Sequence, residues 1–359
     1  MAGGARYVRR RPHHLVQGAY DRSVHRLSPT RRGFAIGLVL SLASVAAPIA
    51  VPAACAAAAD DFARWLTGLR ADALGAGIRA ETFDGALDGI EPLARVIELD
   101  RAQPEVTLTF EQYMTRVASE ARVVAGRQMI RENKPVLDKV AEQYGVQPRF
   151  IVALWGIESD FGRVTGGFSV IQSLATLAFD TRRGSYFRGE LIAALKIIDQ
   201  GNVTPAAMRG SWAGAMGQTQ FMPSAYLRAA VDFDGDGRRD IWGSRPDVFA
   251  SSARLLASLG WLGDQTWGRE VKLPPDFDPA LAGLATTKRI GDWQAIGVRL
   301  PDGGGLPTRQ LDASIVVPVT GSMSPAFMVY NNYRSILRWN RSTFFAIAVG
   351  SLSDRIGDG

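Results

Sequence analysis

One carboxyl group in this sequence stands in a setting that suits proton transfer. Glu158 follows the apolar run 150–157, and helical spacing places it on the same face as Ile151 and Trp155. A carboxyl group held against apolar and aromatic surface is desolvated, which raises its pKa and lets it carry a proton near neutral pH. Asp160 is not expected to be its close partner, because a step of two residues points to another side of the helix. The alternative is a glutamate at the solvent edge of a core helix.

A second stretch, residues 210–223, combines three glycines with neutral polar side chains and aromatic rings. Glycines let the backbone approach a ligand closely, and hydroxyl and amide groups form hydrogen bonds without carrying charge. We expect Trp212 and Phe221 to offer flat faces to sugar rings. This lining suits a polyhydroxylated, N-acetylated substrate. The alternative is a glycine-rich turn that connects two helices.

An aspartate-rich segment, residues 232–247, matches the first part of an EF-hand loop. Aspartates stand at positions 1, 3, 5 and 9 of the loop and a glycine at position 6. Position 12 is Gly243, where an EF-hand has glutamate, so Asp247 is expected to close a lengthened loop. We expect a structural calcium or sodium ion, with magnesium and a plain aspartate-rich turn as the alternatives. The predicted ligands are Asp232, Asp234, Asp236, Arg238, Asp240 and Asp247.

Composition excludes several other kinds of site. The three histidines and the only cysteine, Cys55, lie before residue 56. Once that segment is removed, the chain cannot form a Ser-His-Asp triad, a Cys-His pair or a zinc site with nitrogen or sulfur ligands. We therefore expect chemistry carried by carboxylates, hydroxyls and amides, with no cofactor for catalysis.

The positive charge of the chain belongs to the same segment. The whole sequence has a formal net charge of +6, but residues 1–56 hold eight arginines and one acid, which leaves −1 for the rest. A basic binding surface for nucleic acid is therefore not expected on the folded body.

Residues 1–56 are predicted to be an export segment. Arginines precede an apolar run, Phe34–Val51, which ends in small residues, as in a cleaved secretory signal peptide. An uncleaved membrane anchor is the alternative. Arg31 and Arg32 resemble a twin-arginine signal, and Cys55 is a weak candidate for lipidation. We expect a periplasmic protein that touches the membrane only through such an anchor or a lipidated Cys55.

The elements that position these residues are predicted to be mainly helical. The helix that carries Glu158 is expected to begin at Pro148, after a helix that ends at Gly145. Residues 110–133 and 180–200 also have helical spacing, and the apolar run from Ile315 suits a strand. We predict an α+β fold with three regions: a helical catalytic region (57–267), a small β-containing region (268–322) and returning helices (323–359).

Taken together, Glu158-Ser-Asp-Phe-Gly, the run from Gly210 to Pro223 and the aspartate-rich loop resemble the lytic murein transglycosylase B family. Residues 330–342 extend the resemblance across essentially the whole mature chain. It implies a lysozyme-like fold and cleavage of the β-1,4 bond between N-acetylmuramic acid and N-acetylglucosamine in peptidoglycan. It further implies that the cut is non-hydrolytic and leaves a 1,6-anhydro ring on the muramoyl residue.

The resemblance also assigns residues. It implies that Glu158 is the acid that protonates the glycosidic oxygen and then the base that accepts the proton of the muramoyl 6-hydroxyl. The implied substrate-binding residues are Tyr113, Ser211, Gln220, Trp339 and Asn340. Trp339 stands where relatives often have tyrosine, which keeps a stacking face but removes a phenol hydroxyl.

Two other functions stay open at this point. One is a lysozyme-like muramidase in which water attacks, and the other is a peptidoglycan-binding protein with an inert cleft. In each case the partner is a peptidoglycan glycan strand. Proteins of cell-wall synthesis or division are possible further partners, and we expect a monomer.

Overall fold

The computed structural model of the chain describes residues 53–102, 108–180, 182–319 and 321–357. Most of these residues are helical, so the predicted mainly α fold with a small β region is confirmed. The helices are α1 (Ala53–Gly75), α2 (Ala80–Leu87), α3 (Ala94–Ala102), α4 (Phe110–Val117), α5 (Glu120–Glu132), α6 (Lys134–Tyr144), α7 (Pro148–Ser159), α8 (Val170–Phe179), α9 (Gly184–Asp199), α10 (Pro223–Ala229), α11 (Arg245–Ser258), α12 (Ile290–Ala295), α13 (Asn331–Trp339) and α14 (Thr343–Gly357).

The strands form two antiparallel sheets. The first is a ribbon of β1 (Phe168–Ser169) and β2 (Arg209–Gly210). The second has the strand order β3-β6-β5-β4 and is built from β3 (Gly268–Val271), β4 (Lys288–Arg289), β5 (Asp312–Val316) and β6 (Ala326–Val329).

The predicted start of the returning helices at residue 323 is wrong, because β6 belongs to the sheet and α13 begins only at Asn331. All four residues of β6 are buried. Phe327 and Val329 face the cluster around α7, whereas Ala326 and Met328 face the interior of the β region. A strand covered on both faces has no polar alternation, so its sequence does not distinguish it from a helix.

Helix α7 runs through the centre of the helical region. It begins at Pro148, after α6 has ended at Gly145 in the left-handed conformation (φ 69°), as predicted. Nine of its twelve residues are buried. It ends where Asp160 and Phe161 both adopt positive φ, at 52° and 58°. A helix that is apolar on all sides belongs inside a core, and this places Glu158 at the inner end of a buried helix.

Two stretches predicted as single helices have other boundaries in the structure. Residues 110–133 form α4 and α5, because the Ser119 side chain accepts a hydrogen bond from the backbone of Arg122 and caps a new helix. Residues 180–200 contain only α9, which begins at Gly184 after a turn that follows α8. The boundary at Ser119 depends on a side-chain cap, which hydrophobic spacing does not reveal.

Within the part of the chain that the structure describes, three hydrophobic clusters form the core. The first surrounds α7 and includes residues of α5, α6, α11, α13 and α14. The second joins α1–α3 to α8–α10 and to residues 208–221. The third fills the β region. Trp339 packs against both the first and the second clusters, so the end of α13 lies where they meet.

The export segment falls almost entirely outside the described residues, so the signal peptide and the lipidation of Cys55 stay predictions. Within the described ranges, no helix has both the length and the apolar composition needed to cross a bilayer.

Candidate active site

Glu158 lies in the last turn of α7, and only 9% of its surface is exposed. Its Oε1 atom accepts a hydrogen bond of 2.8 Å from the indole Nε1 of Trp339, which stands at the end of α13. Burial raises the pKa of the carboxyl group to about 8, and the bond from Trp339 opposes that rise. At neutral pH the folded protein therefore holds a protonated glutamic acid, ready to donate.

Tyr113 on α4 lies in the same electrostatic neighbourhood. Burial raises the pKa of its hydroxyl group, and the charge of Glu158 raises it further. Its ring lies 5.7 Å from that of Phe344. Tyr113 is therefore a neutral, half-buried phenol beside the carboxyl group, as a lining residue of a sugar groove would be.

Asp160 is turned to its own partners. Arg163 and Arg122 approach its Oδ1 atom at 3.0 and 3.5 Å. Burial alone would raise the pKa of Asp160, but these two guanidinium groups lower it below the ordinary value. Asp160 is therefore an ionised, ion-paired carboxylate and not a second proton donor beside Glu158.

The glycine-rich segment packs directly on α7 and α13. Its backbone folds back twice, through bridges that join Met216 to Gly210 and to Phe221. The ring of Phe221 meets that of Trp339 edge-on, at a centroid distance of 5.3 Å. A Cβ atom on Gly210 would lie 2.1 Å from the carbonyl oxygen of Ala215, so this fold requires glycine there.

The expectation that Trp212 and Phe221 present flat faces to sugars is wrong. They are exposed by only 6% and 2%, and both belong to the second hydrophobic cluster. The half-buried aromatic residues beside Glu158 are instead Trp339 and Tyr113. The sequence gives the residue type but not which side of the segment faces the core.

The remaining predicted binding residues are buried, and each bonds its own backbone surroundings. The Ser211 hydroxyl accepts from the backbone nitrogen of Ala215 at 3.0 Å. The amide nitrogen of Gln220 donates to the carbonyl oxygens of Thr165 and Gly217, and its φ is positive at 49°. Strained backbone of this kind persists where the surroundings fix it, often at ligand sites.

Asn340 directly follows Trp339 and is 9% exposed. Its Oδ1 atom accepts from the backbone nitrogen of Ser342 at 3.1 Å. Asn340 therefore begins the turn between α13 and α14, directly after the residue that bonds Glu158.

Gln218 is a residue that sequence reasoning passed over. Its Oε1 accepts from the indole Nε1 of Trp155 at 2.8 Å, and its Nε2 donates to the carbonyl oxygen of Trp242 at 2.7 Å. It thereby ties α7, one turn before Glu158, to the end of the aspartate-rich loop. Its place among the glycines was the only signal available in the sequence.

The aspartate-rich loop brings three carboxylates together. Ligand oxygens of Asp232, Asp234 and Asp247 lie within 4.8 Å of one another. Asp247 is fully buried, and its two oxygens accept from the backbone nitrogens of Phe233 and Asp240, both at 2.7 Å. Burial raises the pKa of Asp247. Converging hard oxygen donors around a buried carboxylate fit a hard cation such as calcium.

Asp236 and Asp240, two of the predicted ligands, lie outside this cluster and bond to other groups. The carboxylate of Asp236 is paired with the side chain of Arg238 at 3.1 Å. One oxygen of Asp240 accepts from the backbone nitrogens of Trp242 and Gly243. In this arrangement both aspartates stabilise the turn of the loop.

Comparison with known proteins identifies the family. A model of the transglycosylase SLT domain matches residues 61–354. The chain belongs to this family. The membrane-bound lytic murein transglycosylase B of Escherichia coli is 32% identical over 258 residues, a match that covers 68% of this chain and 66% of that protein. The resemblance noted from the sequence motifs is confirmed.

Solved structures of family members share the fold. SltB3 from Pseudomonas aeruginosa, in complex with NAG-NAM-pentapeptide, is 45% identical with a TM-score of 0.80, covering 83% of this chain and 80% of that one. Slt35 from Escherichia coli, in complex with calcium, is 28% identical with a TM-score of 0.69, covering 81% of this chain and 92% of that one. The transglycosylase domain of this chain therefore has the expected lysozyme-like fold.

Proposed function

We propose that the protein is a peptidoglycan lytic transglycosylase in which Glu158 serves as both acid and base. It is an enzyme of the SLT transglycosylase family, and its relatives are lytic murein transglycosylases. The observation that carries the assignment of Glu158 is its buried carboxyl group, with a pKa of about 8, bonded to Trp339 where α7, α13 and the glycine-rich segment meet.

The first step breaks the glycosidic bond. Because Oε1 of Glu158 accepts the Trp339 N–H, the transferable proton belongs on Oε2. This proton passes to the glycosidic oxygen as the bond to the anomeric carbon breaks, and the N-acetylglucosamine side leaves as an alcohol. The muramoyl acetamido group stabilises the positive charge at the anomeric carbon, as in substrate-assisted glycosidases.

The second step closes the ring. The Glu158 carboxylate, stabilised by the bond from Trp339, accepts the proton of the muramoyl 6-hydroxyl while that oxygen attacks the anomeric carbon. The product is a 1,6-anhydromuramoyl end, and Glu158 regains the proton that it donated. No water is consumed, so one carboxyl group is enough.

Neutral groups around Glu158 suit the positioning of a sugar substrate. Tyr113 and Trp339 are half-buried aromatic residues, and Ser211, Gln220 and Asn340 carry hydroxyl and amide groups. We assign these five residues to substrate binding, with Trp339 also holding the carboxyl group. The support is their position on the segments that converge at Glu158.

The products of digestion test this reaction against hydrolysis. Mass spectrometry of purified peptidoglycan after digestion should find 1,6-anhydro ends, which are one water lighter than reducing ends. Reducing ends would point to the muramidase. Uncut glycan strands would instead support the peptidoglycan-binding protein with an inert cleft.

Glu158→Gln should lower the rate by about two to four orders of magnitude, because proton transfer is lost. Binding of glycan strands should persist, since glutamine preserves the shape of the side chain. The matched control is Glu132→Gln, the same change at the exposed end of α5, which should leave the rate unchanged. Full activity of Glu158→Gln would remove Glu158 from the mechanism.

A structural cation is the second part of the proposal. Asp232, Asp234 and Asp247 would hold a calcium ion, which would neutralise three converging carboxylates and fix the loop that reaches Gln218. Slt35, solved in complex with calcium, supports this choice of ion. The cation takes no part in the reaction steps.

The compartment follows from the substrate. Peptidoglycan lies outside the cytoplasmic membrane, so an enzyme that cleaves it has to be exported, and the N-terminal segment has the composition of an export signal. We propose a periplasmic location, which cell fractionation checks. A monomeric state and partners among cell-wall proteins stay predictions.

A further inference from the structure

A cavity lies beside the first turn of α13, at the opposite end of this helix from Trp339. It has a volume of about 490 Å³, is open to solvent on one side, and is lined by residues from 262–265, 284–289, 310–314 and the start of α13. None of the residues assigned to sugar binding lines it. The transglycosylase reaction therefore leaves this cavity without a role.

Arg334 provides the cavity with a positive charge that no carboxylate neutralises. Its Nη2 atom donates to the carbonyl oxygen of Leu284 at 2.8 Å and to the hydroxyls of Ser314 and Thr287 at 2.9 and 3.3 Å. These neutral acceptors hold the half-buried guanidinium in place. Among the described residues, no carboxylate lies within ion-pair distance of it, whereas many other arginines of the chain have one.

Two hydroxyl groups extend this polar wall. The Oγ1 atom of Thr287 and the Oγ atom of Ser314 lie 3.3 Å apart, and both accept from Arg334. Only one of them can donate to the other, so one hydroxyl hydrogen is left without a partner in this pair. A fixed guanidinium beside two hydroxyl groups is an arrangement that recognises an oxyanion.

The charges around the cavity favour the same kind of ligand. Arg289, which also lines it, lies 3.3 Å from Asp312 in an exposed pair. Tyr330, another lining residue, accepts a hydrogen bond from Arg269 at 3.0 Å. The lining residues hold two guanidinium groups and one carboxylate, so the cavity keeps a net positive charge.

We propose that this cavity binds the carboxylate of a short peptide. The choice of ligand rests on the proposed function, in which the polymer cut at Glu158 carries short peptides with free carboxylates. From Asn331 to Trp339, α13 spans about 12 Å. An extended peptide of five residues reaches about 17 Å. A peptide attached to a sugar beside Trp339 is thus long enough to place its carboxylate near Arg334.

Peptide binding can be measured without cleavage. The probe is an acetylated Lys-D-Ala-D-Ala peptide titrated by calorimetry into the whole mature chain carrying Glu158→Gln, and the comparison is the same peptide with a C-terminal amide. Arg334 should give the free acid an affinity at least about tenfold higher than that of the amide. Equal affinities would overturn the proposal.

Variants locate the site. Arg334→Gln should weaken binding of the free acid about tenfold, and Thr287→Val should weaken it without removing a charge. The matched control is Arg338→Gln, one turn further along α13 and outside the cavity, which should bind as the parent does. If Arg334→Gln does not fold, Arg289→Gln replaces it, because Arg289 is exposed. If the cavity variants bind the peptide as tightly as the parent, or if the control loses as much affinity as they do, the peptide does not bind in this cavity.

The two proposals can fail separately. The peptide probe contains no glycosidic bond, so its affinity does not depend on the reaction at Glu158. If no 1,6-anhydro products form but the peptide affinity is as expected, only the proposed reaction is refuted. If the products form but the peptide acid does not bind, only the proposed role of the cavity is refuted.

Discussion

The carboxyl group of Glu158 is held between two opposing influences. Burial among apolar side chains disfavours its charge, and the indole N–H of Trp339 favours it. A residue that must donate a proton and then accept another one needs both states within reach near neutral pH. Trp339 therefore acts as a hydrogen-bond donor to Glu158, in addition to offering an aromatic ring.

Replacing Trp339 should move the pH dependence of the reaction. In Trp339→Phe the carboxylate loses its donor, so the pKa of Glu158 rises above its present value of about 8. Because the active form is protonated, the alkaline fall in kcat/KM should shift to higher pH, while kcat decreases because the carboxylate intermediate is less stable. Trp339→Tyr, which restores a polar hydrogen, should partly reverse both effects. An unchanged alkaline limb in Trp339→Phe would contradict this role.

Glu158 should also cost the protein stability, increasingly so as the pH rises. Its carboxyl ionises near 4.5 in an unfolded chain and near 8 in the fold. Below the lower value both states are protonated. As the pH rises from the lower to the upper value, only the unfolded state ionises, so the folded state loses a few kcal/mol relative to it, and above the upper value this loss is constant. Glu158→Gln should therefore be more stable than the parent at about pH 9 and little different at about pH 4. Thermal unfolding at these two values checks this, and a difference independent of pH would exclude it.

The sequence predicts residues well where chemistry follows from local spacing. Glu158 could be found because its helix face is visible in the order of residues. The bond from Trp339 could not, because it joins positions 181 residues apart. Trp212 and Phe221 were misread for a related reason: an aromatic residue in a polar stretch can face a ligand or the core, and only packing decides which.

At the scale of the elements, the glycine-rich segment and the aspartate-rich loop pack against each other and together support the site around Glu158. Gly217, with φ 62°, leaves no room for a Cβ atom, which would lie 2.6 Å from the carbonyl oxygen of Ile241. The backbone of Gln218 donates to that same oxygen at 2.8 Å. A cation that orders the loop would therefore also steady the segment that contacts Trp155 and Trp339.

Calcium should stabilise the folded protein. Binding at one hundred times Kd adds about 2.7 kcal/mol, which corresponds to a rise of several degrees in Tm. Asp234→Asn should abolish the difference between calcium and chelator. Asp236→Asn should keep it, because Asp236 is paired with Arg238 outside the carboxylate cluster. No change in Tm on chelation of the parent protein would count against the cation site.

Element boundaries were predictable where single residues enforce them. Gly145 and Pro148 fix the gap between α6 and α7 through backbone conformations that few other residues favour. The division at Ser119 and the strand β6 were missed. The first depends on a side-chain cap, and the second depends on two cores that meet only in the folded chain.

At the scale of the whole molecule, the chain closes on itself around α7. After the β region, α13 brings Trp339 to Glu158, and α14 packs against α7 along its buried face. Trp267, at the start of the β region, belongs to the same cluster and donates from its indole to Asp354 at 2.8 Å. The active site thus depends on contacts between α7, near the middle of the described chain, and the helices at its C-terminal end.

Gly350 marks the tightest point of this closure. A Cβ atom there would lie 2.1 Å from the Trp267 ring, so Gly350→Ala should push α14 away from that ring and destabilise the fold by about 1–3 kcal/mol. Activity should fall as well, because α14 directly follows the turn that holds Asn340. The matched control is Gly189→Ala in α9, where an added Cβ atom would meet no non-neighbouring atom of the described chain within 4 Å. Alanine at this position should be neutral or stabilise the fold by up to about 1 kcal/mol. Denaturant unfolding compares the two variants. If Gly350→Ala proved as stable as Gly189→Ala, the return of α14 would not be what holds the site together.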